Sequence, residues 1–124
     1  MSEDQIGAAV MVGALVLVAA AIGWTTKAAA DGGLKRNMVA GLRTMATMRD
    51  GSAWRAAHLA AWPMARLMVQ VCVAAAVVAI VALVLGKPMA SLLISGAALA
   101  VVLVLVIPMV RSAQAAAKAA PLGD

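Results

Sequence analysis

The chain has 124 residues, 65% of them hydrophobic, and ten Lys and Arg against five Asp and Glu give a formal net charge of +5. A soluble domain is nearer half apolar, and a soluble chain this short has too little interior to hide so much Val, Leu and Ala, so lipid is the expected solvent and one domain, residues 1–124, is what the length allows. With no Phe or Tyr, the basic residues lack the interleaved stacking aromatics of a nucleic-acid surface, and nucleic acid is excluded as a partner.

Residues 1–5 contain Glu3 and Asp4 and no Lys or Arg. The uncharged run 6–24 that follows is long enough for a bilayer core, which takes about 20 residues. A secretory signal peptide would begin with a positive segment, so 6–24 is read as a retained first span. Trp24 closes it where an interfacial aromatic belongs.

Residues 25–66 carry seven of the ten Lys and Arg: Lys27, Lys35, Arg36, Arg43, Arg49, Arg55 and Arg66. Asp31-Gly32-Gly33 reads as a turn or helix stop. Leu34, Met38, Leu42, Met45 and Met48 then recur at spacings of four, four, three and three, one face of a helix, with Arg36 and Arg43 opposite. That is a basic amphipathic pattern of the kind that lies in a membrane interface. Gly41 weakens such a helix by about 1 kcal/mol relative to Ala and is where it would break. Ser52 is a suitable N-cap for a second short helix. Trp54, His58, Ala61 and Ala65 share one face of it, and Pro63 either interrupts it or serves as an early residue of the next span. Trp62 matches Trp24 as an interfacial anchor. Arg66 sits at the span's edge, where it snorkels to headgroups and avoids the ~2.5–3.5 kcal/mol it would cost at the bilayer centre.

The second span is 67–85, interrupted only by Gln70, and the third is 89–110, with Ser91 and Ser95 as mild polar points. Between them Gly86-Lys87-Pro88 predicts a tight turn, because Gly permits positive φ and Pro cannot continue a hydrogen-bonded ladder. Spans two and three therefore form an antiparallel hairpin. Pro108 is expected to kink or fray the end of the third span, and the Ala-rich tail 112–124 either extends that helix or is disordered. Gly7, Gly13, Gly23 and Gly96 are small residues where spans can pack closely. The fold class expected is all-α: an integral membrane protein with three transmembrane helices and an amphipathic helical cytoplasmic loop between the first and second.

Orientation follows from charge. Nine Lys and Arg fall on one side of the three spans and only Lys87 on the other. The rich side is the cytoplasm, which puts the N-terminus outside and the C-terminus inside. Each Lys or Arg near an anionic leaflet is worth about 1 kcal/mol, so anionic headgroups are an expected partner of the loop.

No catalytic chemistry is expected. There is no phosphate-binding glycine loop, nucleophile elbow or His-Glu-x-x-His pattern. The spans hold no ionisable residue in their middles, as proton-coupled carriers do. Cys72 is the single cysteine, which excludes an internal disulfide and a cysteine zinc site; in an apolar run it reads as a small buried hydrophobe. His58 is the only histidine, with no Cys, Asp or Glu at helical spacing, so a metal-ligand set is missing. No metal or other cofactor is expected.

The run Gly41-Leu42-Arg43-Thr44, then Ser52-Ala53-Trp54, then Ala57-His58, with Asn37 upstream, resembles the signature of the SdpI family in its short, three-span form. That signature is a Gly-hydrophobic-Arg-Thr motif, often after an Asn, then a Trp-containing helix with an Asn or His one turn on that runs straight into a transmembrane helix. Two departures stand out: Leu59 occupies a place often basic in the family, and the founding member has additional spans. The founding member protects the producing bacterium against a secreted killing peptide and sequesters a repressor at the membrane. The resemblance therefore implies a bacterial inner-membrane protein of immunity or signalling type, whose partner is a toxin peptide or a regulator. The competing reading is an accessory structural subunit of a larger membrane complex.

The matched residues Asn37, Gly41, Arg43, Thr44, Trp54 and His58 are the candidate partner- or lipid-binding set. Arg43 carries a planar fork of donors for a lipid phosphate, a helix C-terminus or a partner carboxylate. Thr44 is placed to cap the next turn. Trp54 is a flat amphipathic anchor for headgroup level, and His58, one turn on, is placed to hydrogen-bond the same partner. The other reading of these residues is that they brace the loop against the helices.

Overall fold

A computed structural model describes residues 1–37 and 40–123. It consists of three helices, α1 (Glu3–Ala30), α2 (Gly51–Val84) and α3 (Pro88–Ala119). No strand occurs among the described residues. All three helices are long and apolar enough to cross a membrane. At ~1.5 Å per residue each exceeds a ~30 Å hydrocarbon core, so each continues beyond the span predicted for it. The chain is a multi-pass membrane protein of three helices.

α1 opens with a capping box. The Ser2 hydroxyl accepts from the Gln5 N–H (3.2 Å), and the Gln5 side chain accepts from the Ser2 N–H (2.8 Å). Glu3 and Asp4 in the first turn suit the positive end of the helix dipole. The helix stops where the sequence predicts, at Gly32, whose φ of +87° breaks the helical repeat.

The hairpin also forms as predicted. Gly86 takes φ +75°, its N–H donates to the Leu83 carbonyl (3.1 Å), and the Lys87 N–H donates to the Ala82 carbonyl (2.8 Å). These two bonds are a Schellman cap, and Pro88 then starts α3 at a position that needs no N–H. α3 runs through Pro108 to Ala119, so the tail extends the third helix.

α2 packs along both α1 and α3, which touch each other less. Its buried face carries Ala57, Ala61, Ala65, Ala76 and Ala79, against which α3 turns Ser91, Ser95, Ala98, Ala113 and Ala117. Small side chains let helix backbones approach closely where lipid removes the hydrophobic drive to associate. Of the four glycines expected to do this, Gly23 does: a Cβ there would meet Val69 at 3.1 Å. Gly7 would meet Leu92 only at 3.9 Å, and Gly13 and Gly96 face open space. Alanine, not glycine, makes the close seam.

Two expectations fail between α1 and α2. The amphipathic helix through Leu34, Leu42, Met45 and Met48 is not formed; described residues 31–37 and 40–50 are turns, bends and irregular chain. Met38 and Val39 lie outside the described residues. Gly41 has φ +97°, and Asn37, Thr44 and Thr47 spend their side chains on nearby backbone groups, an alternative that competes with the helix. Ser52 is not the N-cap of the next helix either. Asp50 is, accepting from the Ala53 N–H at 2.8 Å. The Trp54 segment and the second span are one unbroken helix, with Pro63 inside it.

Candidate functional site: a braced loop at the end of the bundle

The loop turns on Gly41. A Cβ at this position would lie 2.6 Å from Cη2 of Trp54 and 2.9 Å from Nε2 of His58. Only glycine tolerates both that approach and the positive φ. The next residue is tied down at once: the Leu42 N–H donates to His58 Nε2 at 2.9 Å. His58 Nδ1 stands 2.7 Å from the Trp54 carbonyl. With Nε2 accepting, Nδ1 must carry the proton and donate, so the imidazole is the neutral Nδ1–H tautomer. Burial holds its pKa below the ordinary 6.5, partly opposed by the bond to the Trp54 carbonyl. His58 lies before the apolar stretch that begins at Leu67, on the loop side of the membrane core.

Trp54 completes the brace. Its ring packs on His58 with centroids 4.3 Å apart, and its Nε1–H donates to the Leu34 carbonyl at 2.9 Å. At 2% exposure Trp54 is an interior strut, not a headgroup anchor. Trp24, by contrast, is 65% exposed. Trp62 is half-buried, with Lys27 Nζ 5.3 Å from its ring centre.

Thr44 and Thr47 close the turn reciprocally. The Thr44 N–H donates to Thr47 Oγ1 (2.8 Å) and the Thr47 N–H donates to Thr44 Oγ1 (3.2 Å). The fully buried Thr47 hydroxyl then donates to the Leu42 carbonyl at 2.7 Å. Upstream, Asn37 Oδ1 accepts from the Ala40 N–H at 2.8 Å.

The loop is also bolted to the helix ends. Arg55 Nε donates to the Ala30 carbonyl at the end of α1 (3.1 Å). Arg49 donates to the carbonyls of Ala117 (3.2 Å), Ala120 (3.0 Å) and Pro121 (3.1 Å) at the end of α3. Both guanidiniums sit at helix C-termini, whose end carbonyls carry the negative end of the dipole. Arg49 also pairs with Asp50 at 3.0 Å. That contact, with the Ala53 N–H, lowers the Asp50 carboxyl to about 2.

Of the six candidate residues, Gly41, Trp54 and His58 are in direct contact, and Thr44 joins them through Thr47 and Leu42. Asn37 shapes the chain just before them. Arg43 is exposed on the braced turn, beside Met45, which is 96% exposed. Sequence reasoning passed over Thr47, Arg49 and Arg55. A second Thr three residues after Thr44, and an Arg next to an N-cap Asp, were the available signals.

The profile of the SdpI/YfhL protein family matches residues 33–112. The match begins in the loop, takes in the whole brace and all of α2, and ends within α3. No curated protein and no solved structure matches the chain.

Proposed function

Because the chain belongs to the SdpI/YfhL protein family, we propose that it is a bacterial inner-membrane protein of immunity or signalling type that binds a protein partner through the loop between α1 and α2. The observation that carries this reading is the preorganised turn. Gly41, Trp54, His58 and Thr47 fix a short segment that exposes Arg43 and a nearly bare Met45. A surface already held in one shape loses less entropy on binding, and an exposed Met beside an exposed Arg offers an adaptable apolar contact and a positive charge. The excess of Lys and Arg at this end supports placing the loop and C-terminus in the cytoplasm.

The test is a gentle-detergent pull-down of the tagged protein from native membranes, wild type against an Arg43→Ala, Met45→Ser double variant. Gly41, Thr47, Trp54 and His58 are untouched in this variant, so helix content should be unchanged. A small regulator or peptide recovered with wild type and lost with the variant is the expected result. A large stoichiometric complex that survives the variant would replace this reading with an accessory subunit. Recovery of the wild-type protein alone would overturn partner binding.

A further inference from the structure

A second feature of the loop lies apart from the Arg43 edge and does not depend on the reading above. A cleft of about 520 Å³ opens between the end of α1 and the start of α2, with Gly32 and Gly51 among its walls and Lys35, Arg36 and Arg55 as its charged lining. No carboxylate lines it. The ion pairs among the described residues are Lys27–Asp31 and Arg49–Asp50, so the acids nearest in sequence are already engaged and the three cations lack a carboxylate counter-charge.

Two of these cations are held in place. Arg55 is anchored through Nε on the Ala30 carbonyl (3.1 Å) and Arg36 through Nη1 on the Met48 carbonyl (3.0 Å). Among the described residues these are the only hydrogen bonds either guanidinium makes. Each fork therefore retains donors while its position is fixed, which is the condition for strong oxyanion binding. Lys35 adds a mobile point charge.

The depth of the cleft narrows the ligand. Trp24 is exposed and Lys27 lies against Trp62, which marks the aromatic belt. Ala29, on the cleft wall, is five residues further along α1, about 7.5 Å at ~1.5 Å per residue. A bilayer of ~40–45 Å around a ~30 Å core has a headgroup layer ~5–7.5 Å deep on each side. On that spacing the cleft falls in the outer part of the headgroup layer, within reach of lipid phosphates.

We infer that this cleft is a binding site for a phosphate group, held by Arg36, Arg55 and Lys35 and supplied by an anionic phospholipid or by free phosphate. The experiment uses the full chain in detergent micelles. Short-chain phosphatidylglycerol, short-chain phosphatidylcholine and inorganic phosphate are titrated separately, and bound ligand is read by native mass spectrometry for the lipids and by calorimetry for phosphate. Lys35→Gln and Arg55→Gln are compared with Arg111→Gln, an exposed charge at the same end of the bundle but outside the cleft. Lys35 makes no hydrogen bond among the described residues, other than accepting through its backbone, so its variant keeps the fold even if Arg55→Gln loosens the end of α1.

Phosphatidylglycerol is expected to bind and phosphatidylcholine to bind much less. Lys35→Gln should weaken retention about fivefold, the worth of one surface charge, while Arg111→Gln leaves it unchanged. If inorganic phosphate binds with the same dependence on Lys35, the source is a soluble phosphate; if only the lipid binds, it is the bilayer. An equal loss in Lys35→Gln and Arg111→Gln, or no Lys35-dependent binding of either the anionic lipid or inorganic phosphate, overturns the site.

Discussion

The two ends of α2 are stabilised by different means. From Leu59 to the α3 end near Gln114, apolar surface packs through alanines, and among the described residues no side-chain hydrogen bond joins two residues between 59 and 116. At the loop end, nearly every element is joined to the next by a side chain bonded to backbone: His58 to Leu42, Trp54 to Leu34, Arg55 to α1 and Arg49 to α3. Lipid-level packing tolerates change as long as size is kept. The loop end depends on donor and acceptor geometry, where a single atom matters.

The sharpest way to break this comparison is a matched pair of glycine substitutions. Gly41→Ala should be the most damaging single change in the chain. The positive φ alone costs an L-residue about 1–2 kcal/mol, and the new Cβ would overlap the Trp54 ring at 2.6 Å. Gly13→Ala, in a span and facing open space, should be neutral or slightly stabilising, since Ala is the better helix former. Thermal unfolding of both variants in the same detergent checks the pair. Equal effects would mean that the loop contributes no more to stability than a lipid-facing helix surface.

This contrast also explains which parts of the structure were legible. The spans were, because their signal is bulk apolarity and needs no knowledge of neighbours. So was the hairpin, because Gly86 and Pro88 act locally. The loop was not: Leu34, Met38, Leu42, Met45 and Met48 have helical spacing, yet the local bonds of Asn37, Thr44 and Thr47 and the φ of Gly41 take precedence. The family signature contains Gly41, Trp54 and His58, which the structure brings into contact, since a motif records tertiary contacts that periodicity cannot. The role of Trp54 required the structure. Nothing in the sequence says that its indole N–H meets the Leu34 carbonyl rather than a headgroup.

A smaller effect sharpens the hydrogen-bonding side of the comparison. Thr47→Val keeps shape and removes the hydroxyl that bridges Leu42 and Thr44. It should leave the Leu42 carbonyl and the Thr44 N–H short of a partner and cost about 1–3 kcal/mol. Amide exchange would localise that loss to the loop. A small change in the bundle, Cys72→Ala on the buried face of α2, leaves no polar group unpaired and should not alter loop exchange.

The smallest and most local effect is set by pH. Burial disfavours the charged form of His58 and pushes its pKa below the 6.5 of a free imidazole. When the loop opens, the imidazole meets water and regains its ordinary value. Between the two values the open form binds more protons than the closed one, so falling pH favours opening. The latch should be at full strength above about pH 6.5 and weaken as pH drops below it. Protonation of Nε2 abolishes the acceptor that holds the Leu42 N–H, so the first amide to lose protection should be that of Leu42. Burial causes the shift and the Trp54 carbonyl partly opposes it, with no charged side chain contributing, so the effect should persist at high salt, unlike one set by a surface ion pair. A His58→Gln variant has no titrating group in this range and should give flat protection of residue 42 between pH 5 and pH 7. If wild type is equally flat, the imidazole is not the latch, and the loop end is held by Trp54 and the two threonines alone.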